Sequence, residues 1–195
     1  MLALARHHGW PLTGYEAAGH PVQQRILASV CRWTGVPADR MALGVDGCTT
    51  VCFALPVRAM ALAYARLGAS PDPAARAVRE AMLAYPYLIA GEGRFCTDIM
   101  RAMPGQVIAK IGAEGVHSAV VPAAGIGITL KVEDGDMRSS GVALLALLRQ
   151  VLPKLAGPVV PATGLEAYER IPIRNTRGAV TGEMRAVGVL QFPGL

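Results

Sequence analysis

Residues 106–136 read "QVIAKIGAEGVHSAVVPAAGIGITLKVEDGD". In the last third, Ile126, Ile128, Leu130 and Val132 alternate with Gly127, Thr129 and Lys131, the period-2 signature of a half-buried antiparallel strand. "QVIAKIG" and "GVHSAVVPA" are strand-like as well, and glycine turns separate the three segments. Spacing this close leaves room only for hairpins, so the block is expected to form an antiparallel meander.

Outward from the meander the period becomes helical. Downstream, "RSSGVALLALLRQVLPKL" is apolar at Val142, Leu144, Leu145, Leu147, Leu148 and Val151, as expected of a helix buried against the sheet. A proline-rich connector, "LAGPVVPATG", leads to an amphipathic piece around Leu165 to Arg170. A final strand from Met184 to Gln191 is expected to join the same sheet. Upstream, Pro21 starts and Gly35 stops one helix, Pro56 and Gly68 bound a second, and "DPAARAVREAMLAYP" holds a third. A short helix is expected from Phe95 to Met103, closed by Pro104-Gly105, and a short strand from Met41 to Val45. The class is α+β, an antiparallel sheet with helices packed on it. The chain opens directly in helix-like sequence, "MLALARHHGW".

Composition bounds the function. A chain of 195 residues, 52% hydrophobic and 17% charged, can bury roughly 70% of its unfolded surface in one domain or slightly more, which argues against disorder. The net charge of +5 invites a nucleic-acid partner, but the 19 basic residues are scattered, with no run of three and no interleaved aromatics, so none is expected. Four cysteines without a CxxC pair, an N-terminus too short in apolar residues for a signal peptide, and no uninterrupted membrane-length run imply a cytoplasmic protein with reduced thiols.

Lys110 stands first among the candidate functional residues. In Lys110-Ile111-Gly112 it resembles the K-T-G strand of serine β-lactamase-like acyl-transfer enzymes, whose glycine lets the backbone approach a substrate. A desolvated lysine loses some preference for its charged form and can act as a base beside a serine. The other reading is a lysine whose stem lies along the sheet while its ammonium reaches water. Asp46-Gly47-Cys48 places an acid beside a thiol, a candidate for holding a substrate ammonium or a soft metal, or else a common turn beside a small apolar cysteine. Cys52 shares a face with Cys48 only in a helix, which Thr49, Thr50 and Val51 disfavour. The run 90–96, "AGEGRFC", is a glycine-flexed loop that either offers a helix N-terminus to a carboxylate or simply connects. Glu133, Asp134 and Asp136 gather in a turn that reads either as a cation site or, as expected here, as a cap for the next helix, and the four histidines show no ligand spacing.

Taken in order, "GVDGC", "AGEGRFCTDIM", "KIGAEGVH" and "KVEDGD" with the following Arg138 resemble the asparaginase II family, the rhizobial-type or class 3 L-asparaginases, over nearly the whole chain. The resemblance implies a serine-dependent amidohydrolase with a serine β-lactamase-like or glutaminase-like fold, homodimeric, converting L-asparagine to aspartate and ammonia. It assigns Lys110 as the strand lysine of the Ser-Lys machinery and Cys48 as a zinc ligand. It assigns Asp46, Arg94 and Cys96 to the substrate's surroundings, and zinc as the cofactor.

The family's Ser-x-x-Lys pair, its second serine and its C-S-G-K-H zinc motif have no counterpart here; Ser118, Ser139 and Ser140 have no lysine three residues on. The resemblance therefore implies an incomplete copy of one domain, its zinc site also incomplete, with little or no asparaginase activity. The alternative is a non-catalytic folding or oligomerisation module that pairs with a separate N-terminal chain.

Overall fold

The computed structural model describes residues 1–155 and 164–189, so the proline-rich connector and the end of the expected final strand lie outside the described residues. The chain divides into two compact units, Met1–Ala63 and Tyr64–Leu195.

In the first unit, α1 (Leu2–His7) precedes α2 (Pro21–Thr34). Pro21 occupies the first turn of α2, the His20 ring accepts from Val22 N, and Gly35 closes the helix in the left-handed conformation. The hairpin of β1 (Ala42–Val45) and β2 (Val51–Ala54) follows, with Gly44 opposite Cys52. The strand after Cys48 was not legible from sequence, because four apolar residues in a row carry no period. α3 (Val57–Ala69) runs across the division between units.

The second unit continues through α4 (Pro73–Ala84), α5 (Pro86–Ala90) and α6 (Phe95–Ala102). Asp72 caps α4 by accepting from Ala74 N at 2.8 Å, with Pro73 in the first turn. Then come the three strands of the meander, β3 (Ile108–Ile111), β4 (Val116–Val121) and β5 (Ile126–Lys131), antiparallel in the order β3-β4-β5. The turn between β3 and β4 depends on Gly115, which has φ +71° and whose added Cβ would sit 2.7 Å from Val132 Cβ. The long helix α7 (Met137–Leu155) packs on β4 and β5 through Leu144, Leu145 and Leu148, which join Ile99, Met103, Ile108 and Val120 in the core. The expected buried helix, the meander and the α+β class are all present.

Two expectations need correction. β5 is half-buried from Ile126 to Leu130 rather than on alternate residues, so both of its faces are partly covered. The C-terminal residues do not extend the meander: β6 (Arg170–Arg174) and β7 (Val180–Arg185) form a separate two-stranded sheet. The amphipathic piece around Leu165 resolves into a short 3-10 turn, Glu166–Tyr168, followed by β6. Local closure explains the separate sheet. The Asn175 side chain accepts from Arg177 N and Ala179 N, closing a tight turn whose loop entropy is small.

Candidate functional site

Antiparallel partners share a face of a sheet, so the register of β3, β4 and β5 sorts the candidate residues. Lys110 pairs with Ser118, and Ser118 with Thr129; Ile111 pairs with His117, and His117 with Leu130. On the first face the Ser118 and Thr129 hydroxyls are 2.9 Å apart, and Tyr64 hydrogen-bonds to Ser118. Burial raises the Tyr64 phenol above its ordinary value, so it stays neutral. Ser118 is 1% exposed and committed to these partners, hence not a free nucleophile. Lys110 is exposed, and its Nζ donates to Ile111 O at 2.7 Å. The desolvation expected of a base is thus not supplied here, because the side chain leaves the sheet for water. Gly112 has a packing role: an added Cβ would come within 3.2 Å of Val116 Cβ.

The second face carries a closed polar chain. His117 Nε2 is 3.2 Å from Cys96 Sγ, and His117 Nδ1 is 3.3 Å from Ser140 Oγ. Ser140 donates to Met137 O at 2.8 Å, which leaves its oxygen to accept from Nδ1–H. Nε2 is then the acceptor for the Cys96 thiol, whose sulfur accepts from Ile111 N–H. Each buried polar atom therefore has a partner, and the chain ties α6, β3, β4 and the start of α7 together. Burial, reinforced by the Lys110 charge, lowers the His117 pKa to about 4. Burial also pushes the Cys96 thiol up, with the Ile111 N–H and the Lys110 charge opposing it.

Phe95, the first residue of α6, meets the rings of His117 and Tyr168 edge-on, at centroid distances of 5.2 and 4.9 Å. The Tyr168 hydroxyl donates to Asp98 Oδ2 at 2.6 Å, and burial with that carboxylate raises its pKa. Arg94, Phe95, His117, Arg138, Ser140 and Tyr168 border a cavity of about 340 Å³. Asp136 caps α7 as expected, accepting from Arg138 N at 2.9 Å, and the Arg138 guanidinium holds its carboxyl below the ordinary range.

Asp46 and Cys48 belong to the first unit, both exposed in the β1–β2 turn. Asp46 Oδ1 accepts from Cys48 N at 2.8 Å and Thr50 N at 3.1 Å, so the carboxylate organises the turn. Thr49 follows with φ +62°. Among the described residues no group of three or more histidine, cysteine or acidic side chains is placed to hold a metal ion. Cys48, with its exposed neighbour Cys52, does not make a zinc centre of these residues.

Lys110, Cys96 and Arg94 thus share one unit, Cys96 touching the backbone of the strand that bears Lys110. Sequence reading gave His117 no partner and did not single out Tyr168, Asp98 or Tyr64 at all. Asp98 and Tyr168 are 70 residues apart, and no local pattern joins them. Among the described residues no helix is long and apolar enough to cross a membrane. The family model described as L-asparaginase II matches residues 1–186. No curated protein matches the chain.

Proposed function

Because the chain belongs to the L-asparaginase II family, we propose that it serves the hydrolysis of L-asparagine to aspartate and ammonia by acyl transfer, with Lys110 carrying the proton. The family match over residues 1–186 is the observation that carries the reaction class. A serine oxygen attacks the side-chain amide carbon, the C–N bond breaks, and nitrogen leaves as ammonia after taking up a proton. Water then cleaves the ester to release aspartate and the serine. Lys110 takes the serine proton and passes it to the leaving nitrogen. β3 has one hydrogen-bonded neighbour, so a serine and a substrate have access to Lys110, and the desolvation that these residues do not give the exposed side chain is left to the polypeptide that brings the serine.

The serine comes from outside these 195 residues, which contain no Ser-x-x-Lys. Asp46 is the proposed contact for the substrate ammonium. Cys96, with 1% exposure, acts by position, holding Ile111 next to Lys110. Cys48 is the proposed zinc ligand among these residues, and the rest of that site is proposed to come from outside them. The homodimer and cytoplasmic setting belong to the same proposal.

Ammonia release from asparagine tests it. The chain alone is expected to show background turnover, and addition of a polypeptide bearing the family's Ser-x-x-Lys region to restore it. Lys110→Ala should then lower the restored rate by roughly 10²–10⁴-fold. Enzyme-like turnover by the chain alone, or a restored rate indifferent to Lys110→Ala, overturns the assignment. Absence of turnover in every combination favours the non-catalytic module.

A further inference from the structure

The cavity bordered by Arg94 and Arg138 is on the face opposite the Lys110 side chain. Ile111 and His117 line it, and these two are register partners on the face that Lys110 and Ser118 do not share. Its volume, about 340 Å³, lies at the lower end of small-molecule sites. Two guanidiniums line it and no carboxylate does. The Arg94 side chain makes no hydrogen bond or ion pair among the described residues, while Arg138 gives Nε and Nη2 to Asp136 and keeps Nη1 uncommitted. The remaining wall is largely apolar, with Phe95, Tyr168 and Ile171 in it.

We propose that this cavity is a binding site for a small organic carboxylate, separate from the Lys110 face. The planar fork of a guanidinium suits both carboxylate and phosphate oxygens, and the apolar wall decides between them by favouring an anion with a hydrocarbon remainder. The anion sits between Arg94 and Arg138, and its hydrocarbon part meets Phe95 and Tyr168. A carboxylate there also faces His117, whose ring is bound to Cys96 and, through it, to the Ile111 amide beside Lys110. Occupancy at this site therefore reaches the strand that carries Lys110. The groups around His117 are Cys96 on α6, Ser140 on α7, the Lys110 charge on β3 and, around the same cavity, Arg94, Arg138 and Tyr168. A bound anion opposes the effect of Lys110 and stabilises the imidazolium.

Titration of the whole chain with isobutyrate, followed by calorimetry and by the His117 ring resonances, tests the site without reference to turnover. Saturable binding is expected, with the His117 pKa raised on saturation. Arg94→Ala and Arg138→Ala should each weaken binding at least tenfold while leaving the melting temperature within a few degrees, and Lys110→Ala should leave binding intact. Neutral isobutyramide and inorganic phosphate should each bind at least tenfold more weakly. No saturable binding, binding unchanged in both arginine variants, binding lost in Lys110→Ala, or equal binding of the amide or of phosphate overturns the proposal. A failure of asparagine hydrolysis leaves all of these readouts in place, so the two readings fail separately.

Discussion

The Cys96 sulfur lies 3.2 Å from His117 Nε2, with the thiol residue 1% exposed and the imidazole residue fully buried. Cysteine–histidine proximity is often read as an ion pair ready for nucleophilic chemistry. Here burial moves both groups toward their neutral forms, the thiol upward and the imidazole downward. The pair is therefore a neutral hydrogen bond inside a structural chain, and its consequences are for stability.

Stability should depend on pH through His117. Its folded pKa of about 4 lies below the ordinary histidine value near 6.5, so the unfolded chain binds more protons between those limits. The contribution is fully present above about pH 6.5 and is lost as pH falls toward 4, by an amount on the order of 3 kcal/mol at most. Urea unfolding across this range should show the loss, and His117→Asn should flatten it. Direct NMR titration of the ring in the folded chain should give a midpoint near 4; a midpoint near 6.5 contradicts the assignment.

The four thiols should react in an order set by their surroundings. Cys48 and Cys52 are exposed, Cys31 is half-buried, and Cys96 is buried with a raised pKa. A chromogenic disulfide reagent at pH 8 should label Cys48 and Cys52 first and Cys31 more slowly. It should reach Cys96 only at the rate of unfolding. Peptide mapping of the labelled positions checks the order.

Gly68 leaves the least room for a side chain among the glycines of the second unit. A Cβ at this position would stand 2.4 Å from Val120 Cγ2, and Val120 is fully buried between β3 and β5. Gly68→Ala should destabilise the protein by about 1–3 kcal/mol through overpacking, despite alanine's better helix propensity. Val120→Ala in the same background should recover part of that loss, a coupling that a double-mutant cycle by chemical denaturation measures.

Tyr168→Phe removes the 2.6 Å bond to Asp98 and leaves the edge-on contact with Phe95. Hydrogen bonds to a charged partner are worth about 1.5–3 kcal/mol, so a loss in that range is expected, visible as a lower denaturation midpoint at unchanged slope. A change below about 0.5 kcal/mol contradicts a well-formed bond.

The elements were legible where a period or a boundary residue carried them. Pro21 and Gly35 bracket α2, Pro73 opens α4, and the alternation at Ile126 to Val132 announced a strand. The partition into three small sheets was not legible, because Arg170–Arg174 closes on its own neighbour through the Asn175 turn instead of reaching the meander. Of the site, the motif around Lys110 was readable, whereas its exposure was not: a buried and an exposed lysine look the same in "AKIG". The partners of His117 come from α6 and α7, and only tertiary packing brings Cys96 and Ser140 to it.

The meander has a kinetic consequence. Its two turns are four residues each, 112–115 and 122–125, so β3, β4 and β5 meet through contacts close in sequence. Such contacts close fast, while the bond between Asp98 and Tyr168 must gather 70 residues first. Folding should therefore pass through a transition state with the meander formed and the β6–β7 hairpin still undocked. Conservative changes at Val120 are expected to slow refolding, and changes at Tyr168 chiefly to speed unfolding.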